Sequence, residues 1–144
     1  MTSWREETPQ IVQDDLDGLA AVALDSARQL LDKNGEFFPF GVTLTADGEQ
    51  RLVAGDPALG DHPESQAVLE TLYAGVLGER EDLRAAAFVA DVLTGGSDAI
   101  SVQVEHRDGG PAMQIVQQFS KHGSAIEYGA TSASGGDRRI WTSH

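Results

Sequence analysis

Apolar residues recur at every third or fourth position in two parts of the chain. The first series, at residues 14–34, consists of leucines and alanines that would form one face of a helix. Gly35 follows as a stop, because glycine tolerates the left-handed conformation at a helix C-terminus. The second series follows Pro63, a residue that suits the first turn of a helix. We therefore predict helices over about 14–34 and 62–78.

Alternating apolar and polar residues predict strands in much of the remaining chain. The alternation begins at Phe38 and Phe40, which are predicted to share the core-facing side of a strand, with a short return strand after a turn. Phe37 points the other way and has no place in this core, so it is a candidate for the binding surface. Residues 85–93 are apolar on both sides, which is typical of a central strand.

A hairpin is predicted near the end of the domain, from residues 98–108 and 112–119. Its apolar sides coincide when His106 faces Met113 across a tight turn, so pattern and register agree. The pentapeptide "AIEYG" adds a short last strand.

These elements predict an α+β fold, with a five- or six-stranded, mostly antiparallel sheet and both helices packed on one face. The opposite face would then expose Val89, Leu93 and Val116. This apolar patch would either meet the chain termini or form a homodimer contact.

The domain organisation follows from where the patterns begin and end. Residues 1–13 are polar and aperiodic, so they are predicted to be a flexible N-terminal arm. A single α+β domain spans 14–130. Residues 131–144 are small, polar and glycine-rich, which predicts a flexible C-terminal tail in which Trp141 is the exception.

Charge and composition exclude several classes of partner. The chain of 144 residues carries a net charge of −13, which repels nucleic-acid backbones and anionic membranes but would attract a basic protein. It has no cysteine, so thiolate catalysis and disulfides are excluded. The N-terminus has no secretory pattern and no apolar run reaches the ~20 residues of a membrane span, so we expect a cytoplasmic location.

Candidate chemistry is sparse. No phosphate-binding, dinucleotide-binding or hydrolase motif is present, and the four histidines lack metal-ligand spacing, so no cofactor or metal is expected. The motif "VEHRDG" is the most tempting, but successive residues of a strand point to opposite faces, so Glu105 and His106 cannot act as a dyad. We favour a half-buried, hydrogen-bonded His106, with a functional histidine as the alternative.

Four other residues complete the candidate binding set. Asp91 is a carboxylate within an apolar strand, either on an open sheet face or at a ligand. Tyr128, with Glu127 beside it near the end of the sheet, and His122 on the preceding loop could gather there. With Phe37 and His106 these make up the predicted set, and no catalytic residue is assigned.

Two motifs carry a resemblance to known proteins. The segment "LLDKNGEFFPFGVTLTADGE" and the later "DAISVQVEHRDGG" resemble a group of small, uncharacterised bacterial proteins. Members of that group carry a G-x-F-x-P-F segment after an N-terminal helix and a later D-A-I-x-V-x-x-E-H strand. The resemblance covers most of residues 16–130. It implies an α+β fold and no established activity.

Three functions are consistent with the sequence. A non-enzymatic binding or interaction module is our first interpretation, because neither a cofactor motif nor a catalytic constellation is found. An acidic inhibitor or immunity-type protein that binds a basic enzyme is the second, and the net charge motivates it. A small-molecule enzyme is the third, and it requires polar groups that converge on His106 or Asp91.

Overall fold

The structure of the chain, a computed structural model, describes residues 8–54, 65–94, 96–108 and 112–141. These described residues form a six-stranded antiparallel sheet and two α-helices, which confirms the α+β class. The order of the strands in the sheet is β2-β1-β3-β4-β5-β6. The elements are α1 (Gln10–Asn34), β1 (Phe40–Thr45), β2 (Gln50–Ala54), α2 (Ser65–Glu79), β3 (Leu83–Thr94), β4 (Ser97–His106), β5 (Met113–His122) and β6 (Ala125–Gly135).

Helix α1 begins four residues earlier than the sequence pattern indicates. Pro9 precedes it, and its carbonyl accepts the amides of Val12 and Gln13. Both of these residues are buried, so the predicted arm of residues 1–13 is too long at its C-terminal end. The helix ends as predicted at Gly35, which has φ 76° and whose N–H donates to the Leu31 carbonyl at 2.8 Å. No helix within the described residues is both long and apolar enough to cross a membrane.

The two helices lie on opposite faces of the sheet, not on one. Central strand β3 is buried on both sides, as predicted, and its residues alternate between two apolar clusters. Ala85, Ala87 and Val89 pack with α1, whereas Ala86 and Phe88 pack with α2. These side chains on both faces of β3 are apolar, and most of them are alanines. Each face therefore offers a helix an apolar surface to pack against.

This arrangement removes the predicted apolar patch. Val89 is fully buried under α1. Val116 is partly exposed and pairs with Ser101. The residues of β4 on either side of Ser101 face α1, so Ser101 and its partner Val116 lie on the α2 face. The side chain of Leu93 lies outside the described residues. Val89 and Val116 therefore do not share a surface that could form a dimer contact.

The hairpin of β4 and β5 forms with a register two residues from the predicted one. Val104 pairs with Met113 and Val102 with Ile115, so His106 lies beyond the end of this ladder. A shift of two residues keeps every side chain on its predicted face, because side chains alternate with a period of two. The apolar faces therefore coincide as expected, while the connection between the strands is longer.

The C-terminal part of the chain is largely ordered structure. Strand β6 extends to Gly135, where a tail from residue 131 was predicted. Residues 136–141 then cross the α2 face of the sheet, and Ile140 is fully buried there. We call residues 136–141 the C-terminal segment. Trp141 packs against the same apolar cluster, so it docks on the body of the protein.

The phenylalanine-rich stretch also differs from its prediction. Strand β1 starts at Phe40, after the buried Pro39, and not at Phe38. Phe38 is 51% exposed, whereas Phe37 packs against the core with its ring edge-on to Phe40 at 5.8 Å. Phe37 thus lies where Phe38 was predicted, and Phe38 is exposed as Phe37 was predicted to be. The reason is that side chains alternate between the two faces only within a strand, and both residues precede β1.

Candidate functional site

The motif "VEHRDG" lies at the end of β4, where neighbouring side chains serve opposite faces of the sheet. His106 follows Val102 and Val104 on the α1 face, and Glu105 lies on the α2 face. Both side chains are buried, with exposures of 1% for His106 and 3% for Glu105. Two polar groups buried at the end of one strand need partners on two different layers.

His106 finds its partner on α1. Its Nε2 lies 2.8 Å from Asp15 Oδ2, and the other oxygen of Asp15 accepts a hydrogen bond from Arg84 Nη2 at 2.8 Å. The backbone N–H of Asp108 donates to His106 Nδ1 at 3.0 Å. Since Nδ1 is an acceptor, Nε2 carries the proton and donates it to Asp15. Both ring nitrogens are thus engaged within the protein, which favours a structural role over general base catalysis.

Glu105 finds its partners in the C-terminal segment. Oε2 accepts the backbone N–H of Arg139 at 2.8 Å, and Oε1 accepts those of Ile140 at 3.0 Å and Trp141 at 2.9 Å. Three successive amides therefore converge on one buried carboxylate. Charge-assisted hydrogen bonds of this kind compensate for the burial of the charge.

Side chains of the C-terminal segment add further contacts. The Arg139 guanidinium lies 4.8 Å above the centre of the Tyr73 ring, and its Nε donates to Gln103 Oε1 at 3.1 Å. Arg138 Nη1 donates to the His106 carbonyl at 3.0 Å. Burial raises the pKa of Tyr73, the nearby Arg139 lowers it, and the charge of Glu105 raises it. Apolar, aromatic and polar contacts thus combine to fix this segment on the α2 face.

Asp91 lies on the α1 face near the opposite end of β4 from His106. Burial raises the pKa of the Asp91 carboxyl, and the charge of Asp98 raises it further. Asp91 pairs with Ile100, six residues before His106 along β4, so the two groups are about 20 Å apart at the usual rise of a strand. The predicted candidates Asp91 and His106 therefore do not share a site.

The other candidates lie on separate parts of the molecule. Exposed His122 is at the end of β5, where its Nε2 lies 3.1 Å from Ser120 Oγ and 3.4 Å from Glu127 Oε2. Tyr128 lies on β6, three strands from β3, which is about 14 Å at the usual strand spacing. Phe37 belongs to the α1 core. The structure therefore does not gather the predicted binding set around Asp91.

Tyr128 joins β6 to α1. Its hydroxyl lies 2.9 Å from Asp32 Oδ1 and 3.0 Å from the carbonyl of Arg28, so its single proton can be donated to either. Burial, then the hydrogen bond to Asp32 and the charge of that carboxylate, raise the pKa of Tyr128 to about 12. The Arg28 guanidinium, 5.8 Å from the ring centre, opposes this shift.

The raised pKa of Tyr128 gives a testable dependence on pH. Because the pKa is about 12 in the fold against an ordinary 10.0, the stabilisation from neutral Tyr128 is complete below pH 10.0 and is lost as the pH rises through about 12. Phenolate absorbance should show Tyr128 ionising well above pH 10.0, and Asp32→Asn should lower this pKa. Tyr128→Phe assigns the signal, because Tyr73 is the only other tyrosine. An unchanged titration in Asp32→Asn would contradict the assignment.

An apolar groove lies between α1 and the edge strand β2. It has a volume of about 440 Å³, with Leu30 and Lys33 on the helix wall and Phe40, Leu52 and Ala54 along the strand side. Leu52 pairs with Val42, a residue of the α1 core, so its side chain points to the groove. It is 70% exposed, which makes Leu52 the most exposed of the large apolar side chains that the structure describes.

Among the described residues, none pairs with the outer edge of β2 beside this groove. The Thr45 N–H donates to the Glu49 carbonyl at 2.8 Å, which identifies this facing pair as hydrogen-bonded. Hydrogen-bonded and non-bonded pairs alternate along an antiparallel ladder. The N–H and C=O groups of Gln50, Leu52 and Ala54 therefore point away from β1, and β2 is the last strand on this side of the sheet within the part of the chain that the structure describes.

The chemistry of the described residues gives no sign of a metal centre, because no group of three or more His, Cys, Asp or Glu side chains there could hold an ion. Comparisons of the chain with protein-family models, curated proteins and solved structures found no match. The resemblance drawn from the two sequence motifs stays a prediction.

Proposed function

We propose that the chain is a non-enzymatic interaction module that binds an extended peptide segment along β2. The observation that carries the proposal is an exposed edge strand next to an apolar groove, with the side chain of Leu52 70% exposed between them. Edge strands bind peptides by adding one more strand to the sheet. The main chain then supplies affinity, and alternate side chains of the peptide enter the groove.

The charge of the chain indicates what kind of peptide would bind. A net charge of −13 attracts basic segments, and Asp25, which accepts a hydrogen bond from Gln29 on the groove wall, brings a carboxylate to the rim. Lys33 is the cation of the lining and would face an acidic or polar position. The expected ligand is a net-basic extended segment with apolar residues at alternate positions.

A displayed library of random linear peptides tests this proposal. Selection on the full chain should enrich basic peptides with alternating apolar residues, and a selected peptide should shift the NMR amide signals of Gln50, Leu52 and Ala54. Leu52→Lys should weaken binding by about tenfold or more, since it removes an apolar contact and adds repulsion toward a basic peptide. Leu77→Lys is the matched control, because Leu77 is 41% exposed on α2, away from the groove.

Two results would contradict the proposal. One is the absence of enrichment over a library panned on the matrix alone. The other is binding that Leu52→Lys and Leu77→Lys weaken to the same extent, since the peptide would then be held by the overall charge of the protein and not by the groove.

An acidic inhibitor of a basic enzyme is a second candidate, and the solvent side of α1 favours it. Asp14, Asp17, Asp25 and Asp32 are all exposed along this helix. Binding of this kind weakens steeply with salt. Enzymes captured from an extract of the native host at low salt and released at high salt should then be inhibited by the purified chain. Captured enzymes that keep full activity would exclude this candidate.

A further inference from the structure

Glu105 and its surroundings form a slot on the α2 face that is complementary to an extended backbone. The carboxylate is buried, and the hydrogen bonds that it accepts come from the successive amides of residues 139–141. Next to it, the apolar cluster of α2 and β3 encloses Ile140 completely, and the Tyr73 ring receives the Arg139 guanidinium. We call this arrangement the Glu105 slot.

The slot is incomplete without an occupant. If the C-terminal segment left, the Glu105 carboxylate would lose all three amides, and the space of Ile140 in the apolar cluster would open. Detachment therefore costs three charge-assisted hydrogen bonds and the burial of an aliphatic side chain, so the empty slot favours a segment of the same chemistry. That chemistry is three successive free amides, with a cationic, an aliphatic and an aromatic side chain in this order.

We infer that the Glu105 slot is a self-recognition site that also accepts the C-terminal segment of a second copy of the chain. The sequence of that segment is the one that the slot fits, and a reciprocal exchange between two copies reproduces the contacts of residues 139–141 with the slot. Because each copy supplies one segment and one slot, the exchange closes a two-fold dimer. This inference is independent of the peptide groove at β2, which lies on the opposite face of the sheet and at its edge.

The connection to the slot permits such an exchange. Gly135 ends β6, and three residues separate it from Arg139, so the four Cα–Cα steps of the connection can span about 13 Å when extended. Gly136 marks where the segment leaves the sheet, since its N–H donates to the Ala112 carbonyl at 2.8 Å. A Cβ atom at Gly136 would lie 3.2 Å from the carbonyl carbon of Met113, whereas one at Gly135 would meet nothing within 4 Å.

A pair of complementary variants tests the exchange. Glu105→Gln impairs the slot and keeps the segment, whereas Ile140→Asp impairs the segment and keeps the slot. Each variant alone should be a monomer in native mass spectrometry, and their mixture should give a heterodimer in which the intact segment occupies the intact slot. If both variants are folded and their mixture contains monomers only, the inference is overturned.

A second measurement covers the case in which either variant fails to fold. Isotopically light and heavy wild-type chains, mixed and warmed briefly below the unfolding temperature, should form dimers of intermediate mass. Gly136→Ala should increase the fraction of these hybrid dimers, because the new Cβ loosens the segment, and Gly135→Ala should leave the fraction unchanged. The complete absence of hybrids in the wild type and in Gly136→Ala overturns the inference.

Discussion

Replacing Asp15 with asparagine is expected to lower the free energy of unfolding by about 3 kcal/mol. Asp15 accepts hydrogen bonds from two donors, His106 Nε2 and Arg84 Nη2, each at 2.8 Å. Asparagine has one side-chain oxygen, so its amide group would face one of these donors with another donor. The buried ring of His106, or the guanidinium of Arg84, would then lose its partner. Urea denaturation followed by far-UV circular dichroism measures the change.

Asp14→Asn is the matched control for this substitution. Asp14 is exposed on the same turn of α1, and its carboxylate accepts a hydrogen bond from the exposed Gln10. The change in this variant should stay within about 0.5 kcal/mol. Equal effects at Asp14 and Asp15 would show that helix charge, and not the contact with His106, sets the stability.

Replacing Glu105 with glutamine is expected to cost a similar amount, about 3 kcal/mol. The substitution preserves shape but turns one acceptor oxygen into a donor that faces a backbone N–H of the C-terminal segment. The segment should then detach, which would also expose Ile140 and the apolar cluster around it. In a Trp4→Phe background, in which Trp141 is the remaining tryptophan, the fluorescence should shift to the red at denaturant concentrations that leave the helical signal intact.

Glu127→Gln serves as the control, because Glu127 is exposed on β6 and its carboxylate lies 3.4 Å from Nε2 of His122, which is also exposed. Its stability should match that of the wild type within about 0.5 kcal/mol. A Glu105→Gln variant as stable as Glu127→Gln would mean that the three amides do not depend on the carboxylate.

The elements that depend on local pattern could be predicted from the sequence. Residues 14–34 carry their own apolar stripe and a glycine stop, so most of α1 was identified correctly. The double-sided apolar pattern of 85–93 indicated a central strand, which β3 is. The side chains of β4 and β5 also lie on the predicted faces of the sheet, although the register of the two strands differs from the prediction by two residues. A shift of two residues preserves the alternation of side chains between the faces.

Features that depend on distant partners could not be predicted in the same way. A strand that is apolar on both sides, such as β3, is compatible with helices on one face or on both. The second half of β6 is small and polar, and it is a strand because β5 pairs with it. The C-terminal segment carried one signal, the apolar pair Ile140 and Trp141 after a polar stretch, and this pair is what docks.

Only part of the candidate site could be predicted from the sequence, for the same reason. Alternation correctly separated Glu105 from His106, but it could not supply their partners, which lie 34 to 36 residues away for Glu105 and 91 residues away for His106. The position of Asp15 in the helix pattern does indicate a carboxylate that needs a partner. Asp15 stands four residues before the buried Leu19, on the buried side of α1, where a carboxylate needs a partner.

The motif "VEHRDG", the most tempting candidate for chemistry in the sequence, thus connects the sheet to the elements on both of its faces. One strand end anchors α1 through His106 and the C-terminal segment through Glu105, on opposite faces of the sheet. The proposed peptide-binding function belongs to the exposed strand β2 and its groove, and not to the histidine.

Amide hydrogen exchange by NMR on Asp15→Asn and Glu105→Gln tests this central claim most directly. The two anchors act on different layers, so each variant should lose protection in its own layer first. Asp15→Asn should speed exchange in the first turns of α1, and Glu105→Gln should speed it at Arg139, Ile140 and Trp141. Accelerated exchange of the same amides in both variants, or of none in either, would contradict the division of this strand end between two faces.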